Sequence, residues 1–491
     1  MRSYRFRLPL LVLAAVGLLL VHAIKEPSTA TRATAAEAAA PQCDAPKPDE
    51  AVVAQYRAQG PQGLQTLFDE LDPLLAQLED ARQDSGTPEQ IASLEAQVER
   101  LERLIDAVGR QRYCSVSRLY WYTDWDQAKQ AALQSGKPIL SLRMLGNLDE
   151  ELSCANSRFF RTTLYANAEI SQYLREHFIL HWKSVRPVPK VTIDFGDGRK
   201  LVRTVTGNSA HYVLTCTGRV VDVLPGLYGT QAFLEKLQTA ETAARQLAPV
   251  HPSARPAALQ AYHQQRLQAL DAAWQHDLQR VGLTARTPGQ PSAATSPSKP
   301  TTNATNPGQR VDPPADNAIP ADSPPARAAA GLAVPKARIE MPLVAAITPP
   351  LPTPTEANDE LWNAIAGLHR SETVLDRSTA DLISREAPAA TVAANVAVGK
   401  RAVESPLLRL LSKLRSSIAL DTVRNEYLLH RQIHHWFASG TAPADLEALN
   451  ERVYAELFLT PSSDPWLGLM PKDVYTALTN DGIVIEETKQ P

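Results

Sequence analysis

The chain has 491 residues, of which 44% are hydrophobic and 21% charged, and its formal net charge is -3. This length exceeds the size at which a single hydrophobic core stops growing, so we expect two or three domains. This small negative net charge excludes attraction of the chain as a whole to nucleic acid or to an anionic membrane surface. The 38 prolines are unevenly spread along the chain, which indicates linkers between folded regions.

The N-terminal residues are typical of an export signal. Three arginines within the first seven residues precede an apolar run from Leu8 to Ile24. This run is long for a signal peptide and short for a spanning helix, so residues 1–24 are predicted to be a signal peptide or a membrane anchor. In both cases the remaining chain is expected to be exported, either to the periplasm or anchored by its N-terminus to the inner membrane. Residues 25–48 are rich in Ala, Thr and Pro and are predicted to be a tether.

Residues 49–113 carry the periodicity of a helical hairpin. Apolar residues recur at alternating steps of three and four from Ile91 to Val108, which is a short heptad seam. Thr87, which is followed by a proline, is predicted to cap the start of the second helix. Cys43 and Cys114 flank the open end of the hairpin. They are predicted to form a disulfide if the chain is exported, the alternatives being free thiols or pairing elsewhere.

From residue 114 to residue 249 helices alternate with strands, which predicts an α/β sheet domain. Strands are predicted at Pro138–Arg143, Phe178–Val185, Val191–Phe195, Lys200–Val205, His211–Cys216 and Arg219–Val223. The sequence Gly196-Asp197-Gly198-Arg199 is a hairpin turn signal between two of these strands. A helix is predicted to end the domain.

The remaining chain is predicted to be helical on both sides of a long linker. Residues 250–283 have helical spacing, whereas residues 284–357 are rich in proline and poor in aromatic residues. Such a segment cannot bury enough apolar surface to offset the cost of ordering the chain, so it is predicted to be a disordered linker. Residues 358–480 are predicted to form an all-α domain, and residues 481–491 a tail. Whether this domain contacts the sheet domain is left open.

Four segments of the sheet domain resemble a known superfamily in their order and spacing. They are the helix and strand that meet at Gly136-Lys137-Pro138-Ile139-Leu140, the quartet Cys154-Ala155-Asn156-Ser157, the segment Asn167-Ala168-Glu169-Ile170 and the strand Ala210-His211-Tyr212-Val213-Leu214. Together they resemble the thioredoxin-like domains of bacteria. The resemblance implies an α/β thioredoxin-like central domain, preceded by the helical hairpin and followed by the Pro-rich linker and the all-α C-terminal domain.

Two departures from the family pattern bear on activity. Ser157 stands where the second cysteine of the family's CxxC motif would be, so no internal disulfide can form there. Ala210 replaces the family's cis-proline, which shapes the substrate groove that the resemblance implies beside Ala210 and His211. The resemblance therefore implies a non-catalytic or weakly catalytic module that binds a protein or peptide in the cell envelope. It implies no cofactor.

The first alternative is a monothiol thiol-disulfide oxidoreductase. Free N–H groups at a helix start favour the thiolate, so Cys154 would attack a disulfide and an external thiol would resolve the mixed disulfide. In this reading Ser157 donates a hydrogen bond to the sulfur. The acidic residues Asp149, Glu150 and Glu151, which precede Cys154 by three to five positions, would oppose the thiolate if they face it. A buried structural cysteine is the competing interpretation. Cys216 is expected to be a core residue.

A more distant alternative is a metal-dependent activity in the C-terminal helices. His430 and His434 are four residues apart on a predicted helix, and histidines at this spacing can share a metal ion. The motif lacks the glutamate that zinc hydrolases place next to the first histidine. Buried, hydrogen-bonded histidines are therefore the competing interpretation. The sequence contains no Gly-x-Ser-x-Gly, phosphate-loop or Gly-x-Gly-x-x-Gly motif.

Overall fold

A computed structural model describes residues 47–83, 86–204, 207–282, 357–386 and 400–467, without the side chains of residues 386 and 400–410. Contacts divide the chain into residues 1–47 and a second compact unit that begins at Pro48. The predicted signal or anchor, Cys43, the tail and almost all of the predicted tether and linker lie outside the described residues. Four helices open the second unit: α1 (Glu50–Arg57), α2 (Pro61–Gln83), α3 (Pro88–Gly109) and the one-turn α4 (Cys114–Ser117).

Helices α2 and α3 pack against each other as the predicted hairpin. The predicted cap is confirmed, since Thr87 Oγ1 accepts a hydrogen bond from the Gln90 backbone at 3.3 Å and the Gln90 side chain accepts one from Thr87 N at 3.0 Å. This reciprocal pair satisfies two donors that the helix start would otherwise leave unpaired. Val98, Ile105 and Val108 of the predicted seam are buried in a small core of their own.

The sheet domain contains seven described strands. They are β1 (Trp121–Tyr122), β2 (Ile139–Leu145), β3 (Ile179–Arg186), β4 (Lys190–Asp194), β5 (Lys200–Thr204), β6 (Ser209–Leu214) and β7 (Val220–Pro225). Five strands form one sheet in the order β1-β3-β2-β6-β7, and β4 and β5 form a separate antiparallel hairpin. Strands β1, β2 and β3 are parallel, whereas β6 runs antiparallel to β2 and β7 antiparallel to β6.

The parallel strands require crossover connections, which helices provide. They are α5 (Trp125–Ser135) between β1 and β2, and then α6 (Ala155–Phe159), a π-helical turn (Phe160–Leu164) and α7 (Ala168–His177) between β2 and β3. The predicted strands lie within about two residues of the observed ones. Strand β1 was not predicted, because two residues are too few to show an alternating pattern.

Further helices follow the sheet. They are α8 (Thr230–Leu247), α9 (Arg255–Arg280), α10 (Asp359–Leu368), a 3-10 turn (Arg370–Thr373), α11 (Arg377–Glu386), α12 (Lys400–Arg424), a π-helical turn (Asn425–His430), α13 (Arg431–Ala438), α14 (Leu446–Arg452) and a second π-helical turn (Val453–Leu457). We call the last of these the terminal π-turn.

The helices after the predicted linker share one hydrophobic core with the sheet and with α9. Trp274 of α9 is fully buried, and its ring lies 5.3 Å from that of Trp362 and 5.0 Å from that of Tyr427. The predicted all-α domain is therefore not separate from the sheet domain. The apolar faces of these C-terminal helices pack against α9 and the sheet. This packing buries more apolar surface than a separate helical domain would bury by itself.

Candidate functional site

Cys154 lies at the start of α6, as predicted, but its side chain is fully buried. Its Sγ accepts a hydrogen bond from Ser157 N at 3.5 Å. The Ser157 hydroxyl donates to the Cys154 carbonyl oxygen at 2.9 Å and not to the sulfur, which corrects the predicted role of Ser157. Serine hydroxyls often donate to a backbone carbonyl three residues earlier, and Ser157 makes this local bond instead of a bond to the sulfur. Because disulfide exchange requires direct attack by the sulfur, this arrangement gives an external disulfide no access to it.

The loop before Cys154 is held by a buried arginine. Arg161 donates hydrogen bonds to the backbone oxygens of Leu148 at 3.2 Å and Glu151 at 3.0 Å. Burial lowers the pKa of Arg161 to about 10. The Glu151 carboxylate forms an ion pair with Arg112 at 2.8 Å. One of the acidic residues expected to act on Cys154 is therefore engaged by an arginine.

Of the described cysteines, Cys114, Cys154 and Cys216 are all free thiols. Cys114 is fully buried, and its sulfur donates to the Leu119 carbonyl at 3.3 Å. Burial raises the pKa of the Cys114 thiol well above its usual value. Cys43 lies outside the described residues, so its pairing with Cys114 stays a prediction. Cys216 is half-buried and packs against the core, as expected for a structural residue.

The open substrate groove predicted beside Ala210 and His211 is not found, because both described residues are fully buried. The His211 ring points into the helical layer, where its Nε2 lies 2.6 Å from the Tyr165 hydroxyl and its ring centre 5.0 Å from that of Phe233. Burial lowers the pKa of His211 to about 3, so the ring is neutral near pH 7. His211 is therefore a core residue in this structure.

The chain's own C-terminal part covers the sheet beside Ala210. The Tyr212 hydroxyl donates to Asn450 Oδ1 of α14 at 3.1 Å. The Tyr454 hydroxyl of the terminal π-turn donates to the Asn208 carbonyl oxygen at 3.2 Å. These contacts place α14 and the terminal π-turn where the resemblance implies that a substrate would bind. This cover is the physical reason why the predicted groove is closed.

The hairpin of β4 and β5 presents an exposed apolar face. Val191 and Ile193 of β4 and Phe195 directly after it are 44%, 48% and 56% exposed. The direct cross-strand partners of Ile193 and Val191 are Leu201 and Arg203, which therefore share this face. We call these five residues the hairpin face. At its tip the Arg199 guanidinium lies 5.5 Å from the Phe195 ring centre.

A cluster of buried ionisable groups lies where β7 meets α9 and the C-terminal helices. His430 Nε2 donates to Asp222 Oδ1 at 2.9 Å, and His430 Nδ1 donates to Glu426 Oε2 at 3.0 Å. Burial by itself would lower the pKa of His430, but the two carboxylates outweigh it and raise this pKa to about 9. The ring is therefore an imidazolium near pH 7. Burial opposes ionisation of Asp222, yet His430 holds the pKa of that carboxyl well below its usual value.

Two further histidines adjoin Asp222. His263 Nε2 donates to the Val221 carbonyl oxygen at 3.0 Å, so its Nδ1 accepts the Nδ1 proton of His434 at 2.8 Å. His434 Nδ1 also lies 3.9 Å from Asp222 Oδ1. Burial is the main cause that lowers the pKa of His263 to about 4 and that of His434 well below its usual value. The Nε2 of His434 is buried and has no hydrogen-bond partner in the described part of the chain.

The structure brings the predicted pair His430 and His434 together with residues that the sequence analysis missed. One ligand atom from each of Asp222, His430 and His434 lies within 4.8 Å of the others. Asp222 is 208 residues from His430 along the chain, so no spacing motif could join them. A signal did exist, because an aspartate in the middle of the apolar strand β7 requires a buried partner.

A second contact, which is partly buried, joins α9 to the segment after α10. His369 Nε2 donates to Asp277 Oδ2 at 2.8 Å, and His369 Nδ1 donates to Glu372 Oε1 at 2.6 Å. The Tyr427 hydroxyl donates to the same Asp277 oxygen at 2.6 Å. The hydrogen bonds to Asp277 and Glu372 raise the pKa of His369 to about 9.

The protonated His369 ring should stabilise the fold below about pH 6.5, the usual histidine value, and this contribution should disappear as the pH rises through about 9. We expect His369→Gln to lower the free energy of unfolding by about 1–2 kcal/mol at pH 6, since the ring is partly exposed and solvent screens it. The loss should shrink toward pH 9.5. Urea unfolding at several pH values measures this, with His251→Gln at an exposed position as the control. Equal pH profiles for both variants would contradict the prediction.

In the described part of the chain, no helix is long and apolar enough to cross a membrane. Comparisons of the chain with protein-family models, curated proteins and solved structures find no match.

Proposed function

We propose that this chain is an exported thioredoxin-like protein of the cell envelope that acts as a protein-binding module. Two features support the thioredoxin-like assignment. The sheet has three parallel strands and an antiparallel pair, in the order β1-β3-β2-β6-β7, and helices connect its parallel strands, which agrees with the α/β domain that the resemblance implies. Cys154 starts the helix that follows β2, at the position of the family's motif. The export proposal depends on the basic and apolar N-terminal residues.

The hairpin face carries the proposal of protein binding. Contiguous apolar side chains that stay exposed often mark an interaction surface, because water is a poor environment for them. Val191, Ile193 and Phe195 are such side chains, and they lie on a hairpin that stands apart from the main sheet. The covered groove beside Ala210 offers no comparable surface.

The partner is proposed to be a protein surface that combines apolar and acidic side chains. Arginines flank the apolar centre of the hairpin face, with Arg203 opposite Val191 and Arg199 beside Phe195. A carboxylate on the partner would complement Arg203, since Arg199 already pairs with Asp197 at 2.7 Å, and apolar side chains of the partner would cover Ile193. Arginine and aromatic residues are the types that contribute most to protein interfaces.

Site-specific cross-linking in intact cells tests this proposal. A photo-reactive amino acid at position 193 of the full chain should form a discrete protein adduct. The same amino acid at position 192, which points to the opposite side of β4, should form much less. Phe195→Asp should abolish the adduct at position 193 by placing a charge in the apolar contact. Equal adducts at positions 192 and 193, or none at either, would contradict protein binding by the hairpin face.

No observation favours a second candidate function. A monothiol oxidoreductase needs a sulfur that reaches an external disulfide, and Cys154 is fully buried. Thiol reactivity in the folded chain decides this alternative.

A further inference from the structure

We propose that Asp222, His263, His430 and His434 form a structural site for a divalent transition-metal ion, with zinc as the reference ion. This proposal is independent of protein binding by the hairpin face. It extends the pair His430 and His434 to a four-residue site whose members come from three separate parts of the chain.

Asp222, His430 and His434 offer ligand atoms that all lie within 4.8 Å of one another, and His263 adjoins this group through His434. His430 Nε2 is 2.9 Å and His434 Nδ1 is 3.9 Å from Asp222 Oδ1, and His263 Nδ1 is 2.8 Å from His434 Nδ1. With metal–ligand bonds of about 2.0–2.1 Å, the edges of a tetrahedron are roughly 3.3–3.4 Å long. The observed separations lie on both sides of this value. Side-chain shifts well below the width of a ring would therefore bring these pairs to ligand distance.

The outer atoms of three of the four residues are already held by partners. His430 Nδ1 donates to Glu426 at 3.0 Å, and His263 Nε2 donates to the Val221 carbonyl oxygen at 3.0 Å. The Tyr262 hydroxyl donates to Asp222 Oδ2 at 2.7 Å. In metal sites such outer hydrogen bonds fix the orientation of a ligand and leave its other atom for the ion. The cluster thus has the arrangement of ligands with their supporting shell.

The ligand types and their burial decide the kind of ion and its role. Three imidazoles and one carboxylate suit zinc or a similar ion, whereas magnesium and calcium require sites built mainly of oxygen atoms. All four residues are at most 2% exposed, so substrate has no access and a closed structural site is expected. The ion would connect β7, α9 and the helices beyond the predicted linker.

The metal-free chain is expected to remain folded. Its ligand atoms hydrogen-bond to one another, and the large shared core does not depend on an ion. Metal binding should therefore appear as added thermal stability, because an ion that binds only the folded chain shifts the equilibrium toward it.

The test uses the full chain after treatment with a chelator. Titration with Co²⁺ should produce the visible absorption of tetrahedral cobalt and saturate at one ion per chain. Zn²⁺ should displace the Co²⁺ and raise the melting temperature, whereas Mg²⁺ should do neither. A wild-type chain that shows no such absorption and no zinc-dependent rise in melting temperature would overturn the proposal, whatever the variants do.

Matched variants separate this site from surface histidines. We expect His434→Gln to abolish the cobalt absorption, and Glu426→Gln to weaken binding by about 10–100-fold because it removes an outer partner. His435→Gln, one residue away on the same helix and outside the cluster, should bind like the wild type. If His434→Gln does not fold, Glu426→Gln still decides the question. Unchanged cobalt binding in a folded Glu426→Gln or His434→Gln chain would assign the ion to another site and overturn the proposal.

Discussion

A folded chain that retains only Cys154 should react with a small alkylating reagent at least about 1,000-fold more slowly than one that retains only Cys216. Cys154 is fully buried, whereas Cys216 is half-buried. Alkylation requires contact between the reagent and the sulfur, so Cys154 can react only when local unfolding exposes its side chain. Openings of well-packed regions cost several kcal/mol, and each 1.4 kcal/mol slows the reaction about tenfold.

The two chains to be compared both lack Cys43 and Cys114 and differ only in which of the remaining cysteines is replaced by serine. Mass spectrometry over time gives the two rates in the absence of denaturant. In concentrated urea the rates should converge, which controls for intrinsic reactivity. Fast alkylation of Cys154 in the folded chain would contradict the burial and would restore the monothiol oxidoreductase as a candidate. Slow alkylation removes that candidate for the folded state.

Asp222→Ala should lower the free energy of unfolding by about 3–5 kcal/mol, the cost of breaking a buried ion pair by removing one partner. The substitution leaves the imidazolium of His430 with Glu426 as its one remaining carboxylate contact in the cluster. It also removes the acceptor of the Tyr262 hydroxyl. Asp222→Asn keeps one of the two acceptor oxygens and should cost less than Asp222→Ala, because it removes the charge and only one of the two acceptors.

Urea unfolding in the presence of a chelator measures this loss without a contribution from metal ions. The control is Glu95→Ala, whose carboxylate pairs with Arg82 at 2.7 Å on an exposed helical surface. Exposed pairs contribute little, so this variant should unfold nearly like the wild type. If Asp222→Ala cost no more than Glu95→Ala, the cluster would not contribute to the attachment of the C-terminal helices.

Sequence patterns were sufficient to predict those elements whose formation depends on interactions between residues close in the chain. The capping box of α3 joins Thr87 to a residue three positions later, so the cap could be predicted from a short stretch of sequence. The hairpin of β4 and β5 is turned by Gly196 and Gly198, whose φ angles of 76° and 91° favour glycine. The alternation of helices and strands likewise predicted an α/β sheet and most of its strands, because periodicity reports which face of each element is buried.

The candidate sites depend on contacts that no local pattern contains. The spacing of His430 and His434 suggested a metal ion or buried histidines, but Asp222 and His263 come from other elements. Cys154 was correctly predicted at a helix start, and its burial agrees with the competing interpretation of a buried structural cysteine.

What the sequence determined by itself is most of the elements: the capped helical hairpin, all strands of the sheet except β1, and the turn between β4 and β5. What only the tertiary structure decided is how the helices beyond the predicted linker pack. They cover the sheet beside Ala210 and carry His430 to Asp222. The physical reason is that element formation follows from spacings of a few residues, whereas burial and ion pairing depend on which distant surfaces exclude water together.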